Sequence, residues 1–331
     1  MDVEPIFQKK FIKPQQEWKW GIAIYLYLAG MGAGSFIIGI MIIWFANHLL
    51  PQKTWDLWNY SINLTKAAIL WGPLFVAVGA PFLVLDLGKK MKFYTACLNP
   101  KTSWLARGFL ILSTFIVVGL IIFGVSALLG SVRTTVWFVL EVIGVIFAFA
   151  TAIYTGILLQ SVKYVPIWNT PLLPLLFLAS ALSTGSMGII LSLLGFELIP
   201  SNHGLLKTLT YTEQILILIE AFILVLYLYS RHRQKDQGET SVRLLLSGQL
   251  KFLFWVGIVF IGFIFPILLE FLYTHSGQPS ILIATGLFLL SGGFFLRLGV
   301  LASGIKEQLP MHKLIEIKIR MGAQGTGGSP Q

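Results

Sequence analysis

Eight apolar runs, at roughly residues 20–45, 60–85, 107–129, 134–160, 171–196, 209–230, 251–272 and 281–303, leave this chain little choice of solvent. As a helix, each is long enough to cross the about 30 Å of hydrocarbon in a bilayer. Together they use most of the 331 residues, and only 11% of the chain is charged, which excludes a large soluble domain. The pattern predicts an all-α, polytopic membrane protein with eight transmembrane helices in two four-helix bundles. Residues 1–19 form a polar N-terminal segment, 20–165 the first bundle, 166–303 the second and 304–331 a C-terminal tail. The first run exceeds the apolar core of a signal peptide and reads as a retained helix.

Lys and Arg are distributed unevenly about these runs. With eight spans, both termini and the loops after spans 2, 4 and 6 share one side. Nineteen of the 24 basic residues lie there, against Lys53, Arg133 and Lys207 on the other side and Lys66 and Arg297 within spans. The positive-inside rule therefore predicts cytoplasmic termini. The net charge of +10 follows from topology and does not point to nucleic acid. Cys97 is the only cysteine, so the chain alone holds neither an iron–sulfur cluster nor a disulfide, and any cluster belongs to a partner. His48, His203, His232, His275 and His312 fall in loops or at span ends, which predicts no bis-histidine haem in the bundle. Among nucleotide signatures there is only GMGAGS, which follows no strand.

Chemistry is expected where polar groups recur at one depth. The basic loop LDLGKKMKFYTACLNPKTSWLARG, residues 85–108, sets Asp86 at the end of span 2 and Arg107 at the start of span 3. Tyr25 and Tyr154 lie about equally deep from the same side, in spans 1 and 4. One acid, one permanent cation and two phenols beside an apolar bundle suit the binding and protonation of a quinone-like head group. Interfacial anchoring is the bland alternative for all four. Deeper, Lys66 and Glu141 match in depth and predict a buried pair, whereas Glu220 and Arg297 mark a proton path or further pairing within the membrane. Glu197, Glu213 and Glu270 lie near span ends, where solvation by water is the default.

Gly30 and Gly34 make a small-xxx-small spacing suited to close helix approach. Span 5 echoes span 1: LYLAG (26–30) resembles LFLAS (176–180), and Gly34-Ser35 has a counterpart in Gly185-Ser186. A duplicated four-helix unit with parallel topology would produce this. In the tail, LIEIKIR (314–320) alternates at strand period and suits pairing with a partner's sheet edge, or a short interfacial segment.

YLYLAGMGAG, LDLGKKMKFY, NPKTSWLARG and YTGILLQS followed by VPIWNTPLLPLLFLASALSTG together resemble the NrfD-like family, the integral-membrane subunits of polysulfide-reductase-type complexes. The resemblance is carried by spans 1 to 5 and extends through spans 6 to 8 mainly by hydropathy. It implies a haem-free subunit that binds menaquinone or ubiquinone. Electrons would pass to or from a ferredoxin-like iron–sulfur subunit attached to a catalytic subunit, often a molybdopterin enzyme. It also implies a quinone pocket in the first bundle near the docking face, with Tyr154 matching the family's tyrosine late in helix 4. Asp86 and Tyr154 are then the catalytic candidates, and Tyr25, Asp86, Ser103, Trp104, Arg107 and Tyr154 the binding candidates. Where the polysulfide-reductase branch has an Asn and a His early in helix 1, this chain has Ile22 and Tyr25. The competing functional class is a proton- or solute-translocating module, suggested by the buried charges and the repeat; a purely structural anchor is a third.

Overall fold

The computed structural model describes residues 20–45, 55–57, 60–62, 64–85, 101, 103–129, 134–195, 203–234 and 237–306. Its helices are α1 (Trp20–Phe45), α2 (Leu64–Leu85), α3 (Trp104–Leu129), α4 (Thr135–Gln160), α5 (Leu172–Gly195), α6 (His203–His232), α7 (Gln237–Leu246), α8 (Leu253–Ser276) and α9 (Pro279–Ala302). Among the described residues, seven of these are long and apolar enough to cross a membrane: α1, α3, α4, α5, α6, α8 and α9. In α2 the apolar stretch is the shorter Ile69–Leu83, and the helix carries Pro73 and Pro81. The chain is a multi-pass membrane protein.

Three local features depart from the expected pattern. Tyr60–Ile62, expected at the head of span 2, instead pairs antiparallel with Trp55–Leu57, setting Trp55 opposite Ile62 and Leu57 opposite Tyr60. Aromatic and β-branched residues in a short polar connection favour extended backbone over a helix start. The fold is all-helical in its membrane spans, with this one short hairpin between α1 and α2. A second departure is α7, a helix that the hydropathy pattern does not mark. Gly238, Ser241, Val242 and Leu245 form its buried face at helical spacing, and Arg243 bonds Glu239 one turn back at 2.7 Å. Third, the first half of α8, Leu253–Ile264, is wound as a π-helix, and the Phe265 N–H still reaches Phe260 O. α-Helical winding resumes around Pro266, whose ring nitrogen has no hydrogen to contribute.

α1 is buried almost all round because it packs against α2, α4, α5 and α9. Around it, α1–α2, α2–α3, α3–α4 and α4–α1 contacts close one ring of helices; α5–α6, α6–α8, α8–α9 and α9–α5 contacts close another. The two echoing helices meet where their small residues coincide. A Cβ on Gly34 would collide with the Ala181 carbonyl, and one on Gly185 with the Gly34 backbone. Ser35 Oγ donates to Gly185 O at 3.3 Å across the same crossing. The glycines of α1 are thus packing residues, in keeping with their spacing.

α6 displays the logic of a membrane interior. Its outward stripe, Ile215, Leu218, Phe222, Val225 and Tyr229, is exposed and faces where lipid would lie. Its inward stripe, Glu213, Ile217, Glu220, Leu224, Tyr227 and Arg231, is wholly buried. Polar groups in hydrocarbon must find partners, so they collect on the protein side. Two of them fasten the segment joining α4 to α5: Tyr227 Oη donates to Ile167 O at 2.9 Å and Arg231 Nη1 to Pro166 O at 2.9 Å. From the same segment, Trp168 Nε1 donates to Val300 O on α9 at 2.8 Å.

Candidate functional site

The ring α1–α4 encloses two phenols. Tyr25 on α1 is fully buried and Tyr154 on α4 is 1% exposed. They lie within electrostatic reach of each other. Neither hydroxyl has a hydrogen-bond partner among the described residues. Glycine makes the room: a Cβ at Gly108 of α3 would overlap the Tyr154 ring, so the ring lies directly against the α3 backbone. At Gly79 of α2, a Cβ would stand 3.5 Å from Tyr25 O and 3.2 Å from the Leu28 side chain. Residues of α1, α3 and α4 therefore bring together two buried hydroxyls that have no partner among the described residues. A buried hydroxyl left unpaired costs about 1–3 kcal/mol, so the arrangement suits an acceptor supplied from outside the protein.

The remaining site candidates are distributed around this pair. Asp86 lies outside the described residues, and with it the expected Asp86–Arg107 pairing. Arg107 is half-buried at the start of α3, where Nη2 donates to Lys101 O at 2.7 Å and the guanidinium stacks 4.6 Å from the Trp104 ring. Ser103 caps α3 by accepting from the Ala106 N–H at 3.3 Å. Trp104 is 41% exposed at that helix start. Ser103, Trp104 and Arg107 thus secure the mouth of α3, one turn from Gly108, whereas Tyr25 and Tyr154 line the interior.

Toward the other end of the ring, Glu141 is buried and accepts from Trp44 Nε1 at 2.7 Å. Sequence alone misses this donor, because a tryptophan near a span end looks like an interfacial anchor. The expected partner, Lys66, begins α2 with a side chain outside the described residues.

Arg297 is fully buried where the two rings meet. It donates from Nη1 to Ser180 Oγ at 2.8 Å and Gly293 O at 2.8 Å, and from Nε to Leu26 O at 3.3 Å. Its head group lies 5.6 Å from the Tyr27 ring and 5.4 Å from the Phe177 ring. Gly30 and Ser180, equivalent positions in the sequence echo, both adjoin it: a Cβ on Gly30 would stand 2.8 Å from Nη2. The Ser180 hydroxyl also contacts Glu220, so it stands between the cation and that acid.

One expectation is overturned. Glu213 and Glu270 do not reach water at their span ends: both are 0% exposed, and their carboxyls contact each other. The inward stripe of α6 carries Glu213 to this position, two helical turns in phase with Glu220, and that seven-residue spacing is the sequence signal for it. His232 and His275 lie near helix ends and are exposed. Among the described residues, no three of His, Cys, Asp or Glu gather as a metal site.

The chain is similar to known proteins along nearly its whole length. The family described as polysulphide reductase, NrfD, matches residues 9–307. A polysulfide reductase component of Wolinella succinogenes is 31% identical over 308 residues, covering 87% of this chain and 94% of that protein. Protein NrfD of Escherichia coli is 27% identical over 310 residues, covering 87% and 94%. A selenate reductase subunit of Mesobacillus selenatarsenatis is 24% identical over 297 residues, covering 76% and 66%. The chain belongs to the NrfD family of polysulphide reductase membrane proteins.

Proposed function

We propose that this chain is the haem-free membrane anchor and quinone-reactive subunit of a respiratory oxidoreductase complex. It exchanges electrons between the quinone pool and an iron–sulfur partner, which is joined to a catalytic, molybdopterin-type subunit. Relatives named as parts of polysulfide and selenate reductases support the assignment to a complex. In this reading α2 is the eighth span, the ring α1–α4 and the ring of α5, α6, α8 and α9 are two four-helix bundles, and the termini are cytoplasmic.

The observation that carries the quinone assignment is the Tyr25–Tyr154 pair, buried with both hydroxyls unpartnered among the described residues. A quinone head group offers two carbonyl acceptors and an apolar ring, which fit two phenolic donors within an apolar pocket. When bound, it supplies two-electron, two-proton redox chemistry. Tyr154 and Tyr25 hold and orient it by hydrogen bonding. Asp86 relays protons between the pocket and water, and Arg107, with Ser103 and Trp104, shapes the pocket's mouth.

The test is Tyr154→Phe in the assembled complex, because it deletes the hydroxyl and keeps the ring over Gly108. Quinone-linked turnover should fall by about tenfold or more, the loss of roughly one hydrogen bond in the rate-determining complex. Partner activity with a soluble dye should persist, since dye bypasses the membrane site. Unchanged quinone turnover would remove Tyr154 from the site.

A further inference from the structure

Beyond the phenol pocket, the second ring of helices contains an acid pair that structural pairing does not explain. Glu213 Oε1 accepts from Ser183 Oγ at 3.1 Å, but Glu213 Oε2 and both oxygens of Glu270 form no hydrogen bond among the described residues. The polar side chains that meet Glu270 are the Glu213 carboxyl and the Gln214 amide, and neither is a cation. Two ionised carboxylates in contact inside a bundle repel strongly, and one shared proton removes the repulsion.

Two cavities lie on the same helices, one to either side of the pair along the chain, and neither is lined by Glu213 or Glu270 itself. On one side lies a cleft of about 220 Å³ lined by Lys207, Thr210, Tyr211, Tyr273, Thr274 and Gly277. Thr210 precedes Glu213 by three residues, and Tyr273 and Thr274 follow Glu270 by three and four, so along the helix axes the cleft lining lies about one turn, roughly 5 Å, from the two acids. On the other side, Glu220 and Thr184 line a cavity of about 10 Å³, close to the smallest that holds one water. Beyond it stand Ser180 and the buried Arg297. By chain direction, the cleft opens at the end of the helices opposite Tyr25 and Tyr154.

We propose that Glu213 and Glu270 form a proton-holding site in exchange with water at the end of the bundle remote from the phenols, with Glu220 as its inner neighbour. The resting pair carries one proton between its two carboxyls. A proton arriving from cleft water makes both carboxyls neutral. One leaving inward, by way of a water beside Thr184 to the Glu220 carboxylate, restores the resting pair. Arg297, acting through Ser180, offsets the charge of Glu220 and marks the inner limit of the path. At the cleft mouth the Lys207 ammonium, 5.8 Å from the Tyr211 ring, disfavours a metal cation as the occupant.

Infrared spectroscopy of the full chain in nanodiscs tests this without requiring turnover. The wild type should show a protonated-carboxyl band that shifts promptly on transfer to deuterated water and disappears in Glu270→Gln. Thr274→Trp fills the exposed cleft and should retain the band while slowing its exchange at least tenfold. Glu220→Gln should leave the exchange rate unchanged, because water reaches the pair from the cleft. Absence of a protonated-carboxyl band in the wild type would overturn the proposal even if a variant failed to fold. So would a band that resists exchange for hours, loss of the band on adding sodium, or exchange that slows in Glu220→Gln and not in Thr274→Trp.

Discussion

Arg297 donates to Ser180 at 2.8 Å and thereby joins α9 to α5 at the position that the sequence echo pairs with Gly30 on α1. A guanidinium alone among the side chains reaches Leu26 O, Ser180 Oγ and Gly293 O together from one planar head. Arg297→Ala leaves these acceptors and Glu220 without their cation and should cost about 3–5 kcal/mol of stability, read by denaturant unfolding in detergent. Arg297→Lys keeps the charge but not the fork and should fall between the wild type and Ala. Equal stability of all three would show that the buried cation is structurally idle.

Trp44 is predicted to matter through one hydrogen. Trp44→Phe retains an aromatic ring beside Phe138, 5.4 Å away between centroids, but removes the donor to Glu141. The expected loss is about 1–3 kcal/mol, measured by the same unfolding experiment. If Lys66 also pairs with Glu141, Lys66→Met and Glu141→Gln should each reduce assembly more than the double substitution does; additive losses would argue against that pair.

How far the sequence reveals the molecule depends on which physical signal a residue carries. The long helices are legible because bilayer thickness imposes a length that no soluble helix pattern mimics. Tyr25 and Tyr154 are legible as a pair because counting residues from a span end gives depth directly. Depth says nothing of azimuth, which is why a count from the span ends leaves Glu213 and Glu270 at water when their helix faces turn them toward each other. It also leaves Arg297 without its acceptors, since Leu26 O and Gly293 O are backbone groups that no residue pattern announces. The hairpin and α7 escape for another reason: both lie in polar connections, where hydropathy is silent and only short-range periodicity speaks.

Reporter fusions at either terminus should be active in the cytoplasm, because the basic residues crowd the loops on that side. A fusion active only across the membrane would show that those lysines serve an acidic partner surface instead of orientation, and would move the partner to the other compartment.

Gly108→Ala should damage the phenol site more than the fold. The added methyl must push the Tyr154 ring off α3, so quinone-linked turnover should fall at least as far as in Tyr154→Phe, while dye-linked activity of the complex persists. Gly124 offers the control: a Cβ there meets nothing within 4 Å, and Gly124→Ala should be silent in both assays.

If Tyr25 and Tyr154 donate to the same bound head group, direct binding will register both hydroxyls. The affinity of a short-chain quinone for the full chain in nanodiscs should be measured for the wild type, Tyr25→Phe, Tyr154→Phe and the double variant. Each single substitution should weaken binding by roughly tenfold, equivalent to about 1.4 kcal/mol. The double variant should lose more than either single substitution and should still retain the apolar contribution of the pocket. Wild-type affinity in the double variant would contradict the two-phenol site and place the quinone elsewhere on the protein.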